Sequence, residues 1–169
     1  MKATTVLPAT GLLILLANSA EAQQSEAYSK VGRWVVVRHR PGLCVAHIQS
    51  SKEEMLSARA ASPDSIDLAV TNTRYDIPPG SYPISFTFGG ALQTITTKNV
   101  EARVLPGDRS TLIITLPSSV EPTLDRSSWM RFDVGSHRHF FNFEDFASAM
   151  RATVMCASVA GGDPFKFKN

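Results

Sequence analysis

The sequence predicts a mostly β protein, an antiparallel meander forming a β-sandwich or open barrel with one C-terminal α-helix. Three observations carry that prediction. Short runs alternate apolar and polar residues at period two, the spacing of a strand with one buried face. Pro-Gly, Gly-Gly and Pro-Gly-Asp groups punctuate the runs, as they do in sandwiches and barrels. One late segment, residues 142–157, changes to helical spacing.

In chain order, "MKATTVLPATGLLILLANSAEA", residues 1–22, has the make-up of a cleaved signal peptide. Lys2 supplies the positive start, GLLILLA the apolar centre, and Ala20-Glu21-Ala22 a small-x-small cleavage pattern. The apolar run is far shorter than the about 20 residues a membrane span requires, so no span is expected. Losing the leader removes one lysine and one glutamate and leaves the formal net charge at +2. That balance is too mild to point to nucleic acid or an anionic membrane. Residues 23–162 read as a single β-rich domain, long enough for a hydrophobic core, and 163–169 as a flexible tail.

"QQSEAYSKVG" reads as a polar lead-in. "RWVVVRH" and "LCVAHIQ" are β-branched-rich runs around Arg40-Pro41-Gly42, where proline fixes φ and glycine accepts a positive φ, so a hairpin is expected. "SSKEEMLSARAASPD" is two-sided: Ser51 with Glu54 resembles a helix capping box, yet Ser62-Pro63-Asp64 would close a hairpin into "SIDLAVT". The strand is preferred for 54–60 because strands surround it. "RYDIPPGS" is a loop, "YPISFTF" and "ALQTITT" flank a Gly89-Gly90 turn, and "VEARVL" and "TLIITLP" flank Pro106-Gly107-Asp108. "SWMRFDV" alternates Met130, Phe132 and Val134 against Trp129, Arg131 and Asp133. The helix is expected from Asn142 as its cap, with Glu144 and Asp145 in the first turn and Phe141 against Phe146 as a hydrophobic staple. Gly161-Gly162 and Pro164 end it.

The chain has two cysteines, Cys44 in the first hairpin and Cys156 on the flank of the helix's apolar stripe. In an exported protein such a pair points to a disulfide rather than to metal ligands or nucleophiles, with two unpaired thiols as the alternative. Among the histidines, His137 and His139 in "GSHRHFF" share a strand face and are the candidate metal ligands; His39 and His47 would complete a nitrogen set. Counting out from the 40–42 turn places His39 opposite Leu43, several residues from His47. Neighbouring arginines would repel a cation, and the expectation is no metal and no cofactor.

Gly-x-Ser-x-Gly, Ser-x-x-Lys and His-Glu-x-x-His motifs are lacking. Asp64, Asp67, Asp76 and Asp125 sit mostly beside turn residues, so no acid/base pair stands out, and the protein is expected not to be an enzyme. The tail "DPFKFKN" alternates phenylalanine and lysine and reads as a frayed end or as a strand that docks on a sheet edge. Trp34, Tyr75, Tyr82, Trp129, Phe140 and Phe141 are core candidates or an exposed aromatic patch.

The layout as a whole is "RWVVV", a cysteine ten residues after Trp34, a run of strands, and "MRFDVGSHRHFFNFEDFASAMRATVMC" closing on the second cysteine. It resembles small secreted proteins of alphaproteobacteria and, more distantly, the invasion-associated locus B family of periplasmic proteins. The resemblance implies an all-β, non-catalytic domain in the periplasm of a Gram-negative bacterium, or secreted from it, with an envelope or host protein as its partner. The expected function is therefore a non-enzymatic interaction or cell-envelope accessory role. A small-ligand or metal-binding periplasmic carrier is the alternative, and a hydrolase built from scattered carboxylates comes third.

Overall fold

A computed structural model describes residues 25–90, 94–134 and 137–159, with backbone alone over 94–99. The predicted leader, 1–22, and the predicted tail, 163–169, lie outside the described residues. Ten strands form one antiparallel sheet: β1 (Glu26–Val31), β2 (Trp34–Arg40), β3 (Leu43–Gln49), β4 (Glu54–Ser62), β5 (Ser65–Asn72), β6 (Gly80–Gly89), β7 (Thr94–Val104), β8 (Thr111–Pro117), β9 (Trp129–Val134) and β10 (His137–Asn142). A 3-10 turn at Ser118–Val120 runs into a one-turn helix α1 (Glu121–Leu124), and α2 (Phe146–Val159) ends the described chain. The spatial order is β1-β2-β3-β4-β5-β8-β7-β6-β9-β10. The sheet folds on itself in a sandwich-like manner without closing, so among the described residues β1 and β10 pair on one side only. No helix among the described residues is long and apolar enough to cross a membrane.

The first five strands follow from their turns. Val31 pairs with Trp34 across Gly32-Arg33, and Gly32 has φ 55°. A side chain there would also push the Asp145 carboxylate aside, but the positive φ is what calls for glycine. Arg40 pairs with Leu43 across Pro41-Gly42, as expected, with Gly42 at φ 77°. Residues 54–62 are strand. The sequence signal for a helix cap was physically real but serves a turn: Ser51 Oγ accepts the backbone N–H of Glu54 at 3.1 Å and of Glu53 at 3.3 Å.

Three local expectations need correction. The lead-in is a strand: β1 is polar because it lies at an edge, where few residues must be buried. Residues 94–97 of "ALQTITT" and 100–104 of "VEARVL" belong to one strand, β7, with a register shift opposite Ile84 to Phe86 absorbing the polar residues between them; Gly89 pairs with Thr94, so the link from β6 is longer than a two-residue turn. The helix starts later than expected. Asn142 still pairs with Trp129 in β10, and its Oδ1 accepts the Glu144 N–H at 3.1 Å in a turn. Asp145, at φ 63°, takes the capping place, its carbonyl accepting the Ala149 N–H at 2.9 Å.

The core forms where α2 and the inner sheet face meet. Cys44, Ala46 and Ile48, then Leu56 and Ala58, then Ile66, Leu68 and Val70 are all buried, at the strand period of two. Phe86, Phe88, Phe132, Phe141, Phe143 and Phe146 fill the centre. Burying each such side chain contributes about 1.5–3 kcal/mol. Trp34 is fully buried, lies edge-on to Phe143 and Phe146 at 5.9 and 5.7 Å, and donates its Nε1–H to the Glu144 carbonyl at 2.9 Å. Helix α2 packs on β1 to β4. Its Cys156, fully buried, is disulfide-bonded to Cys44 with Cα atoms 6.1 Å apart, 112 residues along the chain.

Candidate functional site

The outer face of β2, β3, β4, β5 and β8 is set by the same alternation that builds the core. Where Cys44, Ala46 and Ile48 face inward, Val45 and His47 face outward. The pairings His47↔Ser57, Ser57↔Ala69 and Ala69↔Ile113 carry one row across the sheet, and Arg59↔Asp67 and Asp67↔Thr115 carry a second. Between these rows lies an open groove of about 410 Å³, with Leu43, Val45, Ala69 and Ile113 as apolar lining and His39, Arg59 and Asp67 as its polar groups.

Two hydrogen-bonded chains run across this face. In the first, Arg59 donates from Nε and Nη2 to Asp67 Oδ2 at 3.2 and 2.8 Å, and Thr115 donates to Oδ1 at 2.8 Å. Asp67 is thus a structural anion, bound on both oxygens and matched to the arginine, rather than half of an acid/base pair. The second chain is Ser25–His39–His47–Ser57: Ser25 Oγ to His39 Nδ1 at 3.1 Å, His39 Nε2 to His47 Nε2 at 3.4 Å, and His47 Nδ1 to Ser57 Oγ at 2.8 Å. Burial, and then the neighbouring His39 ring, push the His47 pKa down to about 4, so its neutral form prevails at pH 7.

The His39–His47 contact corrects the count from the turn. A register shift between Arg38 and Arg40 leaves His39 as the extra residue of the strand, and its ring reaches His47 with centroids 5.7 Å apart. No sequence signal announces that bulge.

His137 and His139, the candidate metal ligands, sit in different surroundings. His139 is buried and stacks on Phe132 at 4.6 Å, while His137 is exposed. The Tyr75 ring contacts both, at 5.4 Å from His137 and 5.2 Å from His139. His139 Nδ1 stands 2.8 Å from Glu54 Oε1, and the Tyr75 hydroxyl is hydrogen-bonded to the same ring. Glu54 also accepts from Ser50 Oγ at 2.7 Å. This polar cluster ties together β4, the loop after β5, and β10, which is not a neighbour of β4 in the sheet. Among the described residues, no group of three or more His, Cys, Asp or Glu is arranged to hold a metal ion. Of the other carboxylates, Asp76 pairs with Arg109 at 2.6 Å.

A third feature is the β10 edge. Phe140 is 58% exposed and stacks on half-buried Trp129 at 6.0 Å, beside exposed Arg131 and Arg138. The aromatic set therefore divides: Trp34, Tyr75 and Phe141 are buried, Tyr82 and Trp129 are half-buried, and Phe140 is open. A further groove of about 340 Å³ lies between α2 and the β4–β5 turn, lined by Ala60, Pro63, Ile66, Met150, Val154 and Met155 among others. A scan against protein-family models, a search of curated proteins and a search of solved structures found no match to this chain.

Proposed function

We propose that the protein is a non-enzymatic interaction module of the cell exterior, an envelope-accessory protein that binds an extended segment of an envelope or host protein along the β10 edge. The observation that carries this reading is the edge itself. Among the described residues β10 pairs only with β9, and it presents an exposed Phe140 stacked on Trp129, with Arg138 two residues before it and Arg131 opposite it on β9. An added strand would satisfy the free backbone groups of β10, and the aromatic pair would grip alternate side chains of the guest. The Cys44–Cys156 disulfide supports the same reading, because such bonds persist in oxidising compartments. The leader pattern of residues 1–22, a Gram-negative periplasmic or secreted location, and kinship with the alphaproteobacterial secreted proteins and the locus B family belong to this proposal.

A photo-crosslinking phenylalanine analogue placed at position 140 in living cells tests it. The expected result is a discrete crosslinked partner from position 140 that is absent with the analogue at Met155 on α2. Excess native protein should compete the partner away, and excess Phe140→Glu should not. Equal capture from both positions, or none from position 140, refutes the reading. The carrier alternative rests on the 410 Å³ groove of the opposite half of the sheet.

A further inference from the structure

We propose that His39 and His47 form a two-histidine centre for a divalent transition metal, zinc foremost, on the outer face of β2 and β3. The argument starts from the bite of the pair. Zinc–nitrogen bonds of about 2.0–2.1 Å meeting at the tetrahedral angle hold two nitrogens about 3.3–3.4 Å apart, whereas a right-angled cis pair at that bond length sets them at about 2.9 Å. The two Nε2 atoms are 3.4 Å apart. They are drawn together from two strands, by a bulge at His39 and by no covalent constraint.

The outer nitrogens complete the case. Each Nδ1 stands within hydrogen-bond distance of a serine hydroxyl, His39 of Ser25 and His47 of Ser57. Without metal, one Nε2 donates to the other, and one serine must then donate to its imidazole Nδ1. A hydroxyl both donates and accepts. Both histidines can therefore adopt the Nδ1–H tautomer, each donating to its serine; their rings meet nearly head-on, with centroids 5.7 Å apart, and a tilt of each ring by roughly 35° brings both Nε2 lone pairs onto one tetrahedral ion. No hydrogen bond to a serine is lost, and no proton leaves the neutral pair. This is the arrangement by which metal-ligating histidines are commonly oriented, the ring's second N–H held by an outer partner.

Two of the arginines nearest the pair are themselves held by carboxylates. Arg59, in the same groove, is bound to Asp67 at 2.8 Å, and Arg38 lies 3.8 Å from Glu26. The protein supplies two ligands and leaves two positions open beside an apolar groove of about 410 Å³, so water or an exogenous carboxylate, thiolate or imidazole completes the sphere. Such an open site suits exchange of metal or capture of a metal-bound ligand rather than a permanent structural ion.

The test uses the disulfide-intact protein stripped of metal by chelation, with zinc ion as the probe and cobalt(II) as its spectroscopic stand-in. We expect one equivalent of zinc to bind, and cobalt to give the intense visible absorption of a tetrahedral centre. His39→Ala and His47→Ala should each weaken zinc by at least about tenfold, Ser57→Ala by about tenfold, and His137→Ala not at all. Long-range imidazole nitrogen NMR on the unmodified protein removes any dependence on variant folding: zinc should move the Nε2 resonances of His39 and His47 and leave those of His137 and His139. Absence of binding, affinity unchanged in His39→Ala and His47→Ala, an octahedral cobalt spectrum, or nitrogen shifts confined to His137 would each overturn the proposal.

Discussion

Replacing Cys44 and Cys156 together with alanine should remove a large share of the protein's stability. The bond closes a loop of 112 residues. In the chain-entropy description the lost constraint on the unfolded chain is 2.1 + 1.5R ln n cal/mol/K, which for this loop comes to about 4.8 kcal/mol at 25 °C. Domains of this size are held by about 5–15 kcal/mol in all. Both sulfurs are buried, at 4% and 0% exposure, so the alanines also leave unfilled space under α2, and the loss should not fall short of the entropic figure. At about 3–5 °C per kcal/mol, the melting temperature should fall by about 14–24 °C. The assay is thermal unfolding by circular dichroism of oxidised, reduced and doubly substituted protein. Reduced and substituted forms should agree. A melting temperature within about 3 °C of the oxidised protein in both would refute the reasoning, because the loop term alone exceeds that. It would mean that α2 is already held to β1–β4 in the unfolded ensemble, or that packing alone fixes it.

Two other predictions concern smaller features. His47 titrates near 4 in the folded protein against 6.5 ordinarily, so between those values the unfolded chain takes up a proton that the native state refuses. Stability of the metal-free protein is then complete above about pH 6.5 and falls as pH drops towards 4, by about 1–2 kcal/mol once solvent screening at a half-buried ring is allowed for; denaturant midpoints across that range should lose this slope in His47→Gln. Gly32→Ala meets both a positive φ and the Asp145 carboxylate, and should destabilise by about 1–3 kcal/mol in chemical denaturation, with Arg33→Ala as a neutral control at the adjoining turn position.

Much of this architecture could be read from the chain because alternation and turn chemistry agree along it. Cys44, Ala46 and Ile48 were legible as one face, as were Ile66, Leu68 and Val70, and each lies in the core. Pro41-Gly42 makes the turn its chemistry promised. Failures came where position in the sheet mattered more than local pattern. β1 looks like a polar linker since an edge strand needs little burial, and Asn142 looked like a cap since nothing local shows that β9 retains it as a pairing partner. The candidate site was least legible. The contact of His39 with His47 depends on a bulge, and that of His139 with Glu54 joins residues 85 apart across the fold. Neither leaves a trace in spacing, which is why His137 and His139, neighbours in sequence, looked the more natural pair.

The Cys44–Cys156 bond has one more consequence, for survival among proteases. It makes a covalent ring of everything from the start of β3 to the last turn of α2, leaving outside only β1, β2 and the chain ends. A single cut anywhere within that ring, in the loop before β6 or at the Pro106-Gly107 turn, opens the ring without releasing a fragment. The clipped molecule keeps both halves tethered and its buried seams in register, so two separate cuts are needed before any of the enclosed strands can drift away.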